Sequence, residues 1–215
     1  MDKEISIVEA QNRHIEGMAR CHIKSFPGEF MTLIGKRFIK GFYKYYIASQ
    51  NSIVIVAVNE HDKVTGLVAG GKPELRKRFT VTRVPLYVFD ICRSAIINSN
   101  CRTRLLQHLS GAFRKILVKL HLATAQAVIE EPPEDPTGTW SSLLSVCTLP
   151  DYCGRGIGSR LMEEFRQQSE NLGYKTIRLS VHLDNEPAIA LYTKCGWKET
   201  FRNIRGIYFK RNVKD

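Results

Sequence analysis

Several features that mark other classes of protein are missing from this chain of 215 residues. No apolar run approaches the ~18 residues that a membrane-spanning helix needs. The charged start, Met1-Asp-Lys-Glu-Ile, has no apolar stretch of the kind found in secretory signals. The six cysteines are scattered, with neither Cys-x-x-Cys pairs nor metal-ligand spacing. We therefore expect a cytoplasmic protein with reduced thiols and no metal site.

What the chain does contain is the pattern of one α/β domain covering residues 1–215. A chain of this length can bury a sizeable core as a single unit. The apolar patterns predict a strand at 4–9, a helix over 12–25, a helix over 32–48 and a hairpin with strands at 53–58 and 64–70. This order predicts a mixed sheet with helices on both faces.

The most informative stretch is a glycine turn between a strand and a helix. A strand that includes Leu143 to Thr148 is followed by Gly154, Gly156 and Gly158, where a helix opens. The first turn of a helix leaves backbone N–H groups unpaired at the positive end of its dipole, which makes an anion site. The turn has neither the Gly-Lys-Ser/Thr ending of a Walker loop nor the third glycine of a dinucleotide fingerprint. Taken alone, it also fits an ordinary strand-to-helix turn.

The segments that follow give the turn a context. An alternating strand over 175–182 leads into the sequence Asn-Glu-Pro-Ala-Ile-Ala-Leu-Tyr-Thr-Lys-Cys-Gly-Trp at 185–197. This order resembles the GCN5-related N-acetyltransferase (GNAT) superfamily over roughly 1–72 and 141–211. The family motif Gln/Arg-x-x-Gly-x-Gly/Ala falls on 153–158, with Cys153 in place of its first residue. The later family motif falls on Asn185, Ala188, Tyr192, Gly196 and Trp197.

The resemblance implies a fold and a cofactor. The fold would be an α/β, mostly antiparallel mixed sheet with helices on both faces, and acetyl-coenzyme A would lie between two splayed strands. The pantetheine arm would contact Val146, Cys147 and Thr148, and Asn185 would be a helix N-cap, a cofactor ligand or both. The pyrophosphate would contact the turn residues Cys153, Gly154, Arg155, Gly156, Ile157, Gly158 and Ser159.

The implied reaction is attack of a neutral amine on a thioester. An acid should assist the departing thiolate, and by its motif position this is Tyr192. The Cys147 or Thr148 amide would stabilise the oxyanion. Family members that acetylate protein N-termini often carry a glutamate where this chain has Ser180, which argues against that substrate class. His182, Glu29 or a water chain is left as the base, and a catalytic Cys153 is disfavoured because the family needs no acyl-enzyme.

Residues 73–140 are predicted to be a basic helical insertion in this pattern. Between Lys72 and His121 there are eleven lysines and arginines but only two acids. Leucine spacing predicts a basic amphipathic helix over 105–120, and an acidic, proline-rich linker follows at 130–136. The insertion could be a cap on the core, a lid for an anionic acceptor, or a contact with anionic lipid or nucleic acid. Nucleic acid is the weakest of these readings because no aromatic-interleaved motif is present.

We therefore expect transfer of an acetyl group from acetyl-coenzyme A to a primary amine of a small acceptor. The basic insertion favours an anionic, amino-sugar-like acceptor, and a homodimer is compatible with the sequence. A non-catalytic acyl-coenzyme A-binding or adaptor protein is the alternative from another class. A transferase that uses a longer acyl donor is the alternative within the same class.

Overall fold

The computed structural model describes residues 5–103, 105, 139–204 and 206–214. In these ranges the chain forms a seven-stranded sheet in the order β1-β2-β3-β4-β5-β7-β6. The strands are β1 (Ser6–Glu9), β2 (Ser52–Val58), β3 (Val64–Gly71), β4 (Trp140–Thr148), β5 (Thr176–Val181), β6 (Lys198–Asn203) and β7 (Gly206–Asn212).

Regular helices lie between β1 and β2, between β3 and β4, between β4 and β5, and between β5 and β6. They are α1 (Ile15–Ser25), α2 (Phe30–Ile34), α3 (Lys36–Ile47), α4 (Glu74–Thr82), α5 (Val88–Ile97), α6 (Ile157–Asn171) and α7 (Glu186–Lys194). Short 3-10 turns lie at Asn12–His14, Val84–Tyr87 and Pro150–Tyr152. Residues 99–103 are also helical. No helix in the described ranges is long and apolar enough to cross a bilayer.

The sheet is mixed and mostly antiparallel, which confirms the expected fold class. Every neighbouring pair of strands is antiparallel except β4 and β5, which run parallel. The buried run of β2 shows why the sheet is covered on two sides. Val54 and Val56 pack in the core formed with α1 and α3, while Ile53 and Ile55 pack in a second core with α6. A strand alternates its side chains between faces, so a continuous β-branched run serves both cores.

The single helix predicted over 32–48 is wrong, because two helices occupy this region. Helix α2 ends at Ile34 and α3 begins at Lys36. Gly35 between them has φ +122° and ψ 173°, far from helical values. Gly35 allows the break because glycine reaches this conformation without a steric penalty. The spacing of apolar residues, from which the single helix was predicted, does not show such a break.

The described part of the insertion packs on α3 through aromatic side chains. Phe79 of α4 meets Phe38 and Phe42 edge-on, with ring centroids 5.8 and 5.3 Å apart. Tyr87 lies against the backbone of α3 at Gly41, where an added Cβ would come within 1.7 Å of the tyrosine oxygen. Full burial of an aromatic side chain such as Phe79 contributes roughly 1.5–3 kcal/mol. These contacts hold α4 and the following turn against α3.

Two features predicted for the insertion lie outside the described residues. These are most of the basic helix expected over 105–120, of which only residue 105 is described, and the acidic linker at 130–136. Helices α4 and α5, which precede them, were not predicted individually. Their apolar residues do not form one inward stripe, and that is the pattern from which a helix is read.

Candidate active site

The sheet opens into a gap between β4 and β5. The two strands are paired only where Trp140–Ser142 faces Thr176–Arg178. Beyond this point β4 pairs only with β3, and β5 only with β7. A register shift between β3 and β4 leaves Leu144 as an extra residue near the point of divergence. Such a bulge bends a strand, which fits a β4 that turns away from β5.

The backbone of β4 presents polar groups along this gap. The N–H of Leu149 donates to the carbonyl oxygen of Thr65 on the β3 side at 2.8 Å. Because hydrogen bonding alternates along an antiparallel pair, Cys147 also bonds towards β3, opposite Leu67. Val146 and Thr148 therefore direct their N–H and C=O groups towards the gap. The Thr148 carbonyl already accepts a hydrogen bond from the Ser25 hydroxyl at 3.1 Å.

The glycine turn lies at the end of β4, where α6 begins. Gly154 and Gly156 adopt left-handed conformations with φ +78° and +71°. Gly156 is the N-cap of α6 and has no side chain with which to cap the first-turn N–H groups. Those groups, on Ile157, Gly158 and Ser159, lack carbonyl partners within the helix. The turn therefore has the donor set of an anion site.

Two side chains of the turn point to protein partners. The Cys153 thiol lies 3.6 Å from the carbonyl oxygen of Leu149. The Arg155 guanidinium donates to the carbonyl oxygen of Asp151 at 3.2 Å and stacks over the ring of Tyr152. Arg155 consequently adds a positive charge beside the backbone donors of the turn.

Tyr192 lies on α7, within the core shared with α6. Its ring packs on those of Trp197 and Phe209 at 6.0 and 5.7 Å. Burial raises the pKa of Tyr192 to about 12, and the charge of an ionised Cys147 thiol on β4 would add to this effect. The phenol is therefore protonated at neutral pH, the state that a general acid requires.

Asn185 is the N-cap of α7. Its side-chain oxygen accepts a hydrogen bond from the Ala188 N–H at 3.2 Å. The capping role expected from the sequence is present. A role in cofactor binding stays a prediction.

The two side chains predicted as bases come together from distant parts of the chain. Glu29 lies in the break between α1 and α2, and His182 follows β5 directly. His182 Nε2 and Glu29 Oε1 are 4.0 Å apart, with 62% and 39% of the side chains exposed. Ser180 is exposed like His182, while Leu179 and Val181 are buried on the α6 side. Glu29, Ser180 and His182 therefore share the side of the sheet that carries α1 and α3.

A buried polar chain that the sequence reading missed runs beneath β4. His22 Nδ1 lies 2.8 Å from the Tyr43 hydroxyl, which in turn lies 3.4 Å from Ser145 Oγ. Burial lowers the pKa of His22 to about 4, an effect that the negative charge of Glu29 opposes. The imidazole is therefore neutral at pH 7. In the sequence, His22 falls in the buried stripe of α1, so periodicity alone could not distinguish this polar residue from its apolar neighbours.

Two cysteine thiols lie next to this polar chain, beside the gap. Cys21 and Cys147 have sulfurs 3.7 Å apart. Burial raises the pKa of the Cys147 thiol, which keeps it neutral and a poor nucleophile. Among the described residues, no group of three or more histidines, cysteines and acids could hold a metal ion.

The fold is therefore a sheet in which β4 and β5 diverge, with the N-terminus of α6 at the open end of the gap. A family model described as "Acetyltransferase (GNAT) family" matches residues 120–197. The [ribosomal protein bS18]-alanine N-acetyltransferase of Escherichia coli K12 is 32% identical over 87 residues, which are 40% of this chain and 51% of that relative. The chain thus matches about half the length of this curated relative.

Solved structures show the same fold. The crystal structure of the ribosomal-protein-S18-alanine N-acetyltransferase from Escherichia coli aligns with a TM-score of 0.54 at 12% identity, over 98% of this chain and 94% of that one. PaiA N-acetyltransferase from Thermoplasma acidophilum, in complex with coenzyme A, aligns with a TM-score of 0.53 at 11% identity, over 97% and 99%. Both alignments are far below 25% identity and show the fold, while residues 120–197 are similar to the GNAT acetyltransferase family.

Proposed function

We propose that this protein is an N-acetyltransferase that uses acetyl-coenzyme A. The observation that carries the proposal is the arrangement around the gap between β4 and β5. The glycine turn lies at the end of β4. Tyr192, which is protonated at neutral pH, lies on the α6 side of the sheet. The Glu29–His182 pair lies on the α1–α3 side. An acid and a base on opposite sides of one gap suit a reaction that takes a proton from one partner and gives one to the other.

The residues at the gap fit acetyl-coenzyme A. Val146 and Thr148 offer strand-like backbone groups to the pantetheine amides, and the first turn of α6 offers N–H donors to the pyrophosphate. When bound, the cofactor supplies an activated acetyl thioester. The Thr148 N–H is a better candidate than that of Cys147 for stabilising charge on the acetyl oxygen, because Cys147 belongs to the β3 ladder.

The proton transfers are assigned to three side chains. An alkyl ammonium titrates near ~10.4, so the acceptor amine must lose a proton before it can attack. We propose that Glu29 and His182, whose side chains lie 4.0 Å apart on the α1–α3 side, receive that proton. Tyr192 donates its phenolic proton to the departing thiolate from the other side of the sheet. Each such transfer typically contributes ~10²- to 10⁴-fold to the rate.

The acceptor we propose is a small primary amine, with an anionic, amino-sugar-like molecule tested first. The excess of basic residues in the insertion favours an anion. A protein N-terminal amine is the second candidate, because the matched relative is a [ribosomal protein bS18]-alanine N-acetyltransferase. Against it stands Ser180, exposed beside the Glu29–His182 pair, where a carboxylate is typical of that substrate class.

The test is release of coenzyme A from acetyl-coenzyme A by the full chain, followed by chromatography. The acceptor panel contains amino sugars, amino-sugar nucleotides and a peptide that begins with alanine. We expect release that depends on an amine and yields an acetylated product. Acetyl-coenzyme A binding without turnover on a broad amine panel would favour the non-catalytic adaptor. A stronger reaction with a longer acyl donor would change the donor but not the reaction class.

A further inference from the structure

Among the residues that the structure describes, large exposed apolar side chains are concentrated in one short part of the chain. The described residues include nine strongly exposed ones, and six of them lie between positions 81 and 97. We call these six the insertion face: Val81, Leu86, Val88, Phe89, Ile96 and Ile97. Single exposed apolar residues are common on protein surfaces, whereas a concentration of them marks an interaction site.

Helix α5 turns its more apolar side outwards. Its buried residues are Ile91 and Ser94, and the Ser94 hydroxyl donates to the Leu33 carbonyl at 2.5 Å. At 100° per residue, Val88, Phe89 and Ile96 fall within about a 100° arc on the opposite side. Phe89 and Ile96 are 75% and 78% exposed. A helix that only capped the core would face the other way.

The insertion face is held in place by the rest of the fold. Asp90 pairs with Arg37 of α3 at 2.5 Å, and Ile91 belongs to the core with α1 and α3. Tyr87, just before α5, lies against Gly41. These anchors fix α5 on the core, so its four members of the insertion face, Val88, Phe89, Ile96 and Ile97, are presented by a packed helix.

The surroundings of the insertion face are basic. Residues 72–103 carry seven lysines and arginines and two acids, a net charge of +5. One of the acids, Asp90, is already paired with Arg37. The exposed basic residues include Arg76, Lys77, Arg78, Arg83 and Arg93. Arg93 follows Phe89 by one helical turn, so positive charge adjoins the apolar side chains directly.

We propose that the insertion face docks on the surface of an anionic lipid bilayer. Exposed apolar side chains can enter the boundary between headgroups and acyl chains, while neighbouring lysines and arginines pair with lipid phosphates. A second copy of this chain fits less well, because it would bring one +5 segment against another. Nucleic acid would satisfy the charges but leave the phenylalanine and isoleucines without a partner.

The experiment is flotation of the full chain with vesicles. One set is pure phosphatidylcholine, and the other contains phosphatidylglycerol. We expect binding to the anionic vesicles that weakens with added salt, and little binding to the neutral ones. The Phe89→Ser, Ile96→Ser double variant should bind about tenfold more weakly or worse, because two apolar anchors are lost. Lys77→Ser, one helical turn before Val81, and Arg93→Ser, one turn after Phe89, should each weaken binding by about fivefold.

A matched control is available on another part of the surface. Ile204 follows β6 and is 79% exposed, so Ile204→Ser removes a comparable apolar side chain far from α5 in sequence. This variant should bind vesicles like the unmodified protein. All variants are first checked for unchanged thermal midpoints and for unchanged coenzyme A affinity, so a failure here is separate from a failure of the proposed enzyme activity.

Three results would overturn the proposal. The first is no binding to anionic vesicles at low salt by the folded protein. The second is binding that the Phe89→Ser, Ile96→Ser variant retains in full, which would place the contact elsewhere in the chain. The third is a dimer in light scattering that this variant abolishes, which would assign the insertion face to a second copy.

Discussion

His22 gives a prediction whose size follows from its burial. The residue is 5% exposed, and its pKa falls from an ordinary 6.5 to about 4. The unfolded chain therefore takes up a proton near pH 6.5, while the folded protein resists it until near pH 4. Below pH 6.5 protonation favours the unfolded state, so stability is lost as the pH falls. At about 1.4 kcal/mol per pH unit, the full loss is about 3 kcal/mol, with about 1–2 kcal/mol of it reached by pH 5.5.

The perturbation that isolates this effect is His22→Gln. Glutamine can still hydrogen-bond the Tyr43 hydroxyl but cannot titrate, which leaves other acid-sensitive groups as they are. Urea unfolding of both proteins at pH 7, 6 and 5.5 gives the difference in unfolding free energy. We expect that difference to shift in favour of the variant by about 1–2 kcal/mol between pH 7 and 5.5. His61→Gln, at an exposed turn, should follow the wild type.

One result would refute the reasoning about His22. If the difference between wild type and His22→Gln stays constant from pH 7 to 5.5, then the histidine is protonated as readily in the folded protein as in the unfolded one. Its burial beneath β4 would then be incorrect, as would the neutral chain from His22 through Tyr43 to Ser145.

Three further predictions concern the proposed active site. Tyr192→Phe should lower the turnover rate by ~10²- to 10⁴-fold and leave the coenzyme A affinity unchanged. If kinetics and calorimetry show that the rate and the affinity fall by the same factor, Tyr192 acts in binding and not as the acid. Gly156→Ala and Gly173→Ala should each cost about 1 kcal/mol in urea unfolding, because both glycines have left-handed φ in open space. Only Gly156→Ala should weaken coenzyme A binding. If both variants weaken it equally, the glycine turn does not bind the cofactor. In steady-state assays, Glu29→Gln with His182→Gln should be little worse than the more damaging single change, whereas multiplied losses would mean independent roles.

The sheet could be predicted from sequence because its strands carry strong local patterns. The buried β2 and β3 runs and the glycine turn before α6 appear in the structure within a residue or two of their expected positions. The family resemblance also singled out β4, the strand that leads into this turn. In these segments the local sequence pattern and the tertiary environment favour the same structure, and a segment of this kind can be predicted from sequence.

The remaining features depend on contacts between distant residues. Glu29 and His182 were separate candidates in the sequence, and only the path of α1 into α2 beside the end of β5 brings them to 4.0 Å. His22 was hidden in an apolar stripe because its partner, Tyr43, belongs to another helix. The outward face of α5 could not be predicted, since periodicity shows where apolar residues cluster but not whether that side is covered.

The most direct test of the account is calorimetric titration of the folded protein with coenzyme A, acetyl-coenzyme A and NAD. The splayed strands and the first turn of α6 predict saturable binding of the two coenzyme A ligands at one site per chain and none of NAD. Gly156→Ala should weaken that binding, while Gly173→Ala should not. Absence of binding by either coenzyme A ligand to folded protein would contradict the proposed cofactor site, and with it the proposed reaction.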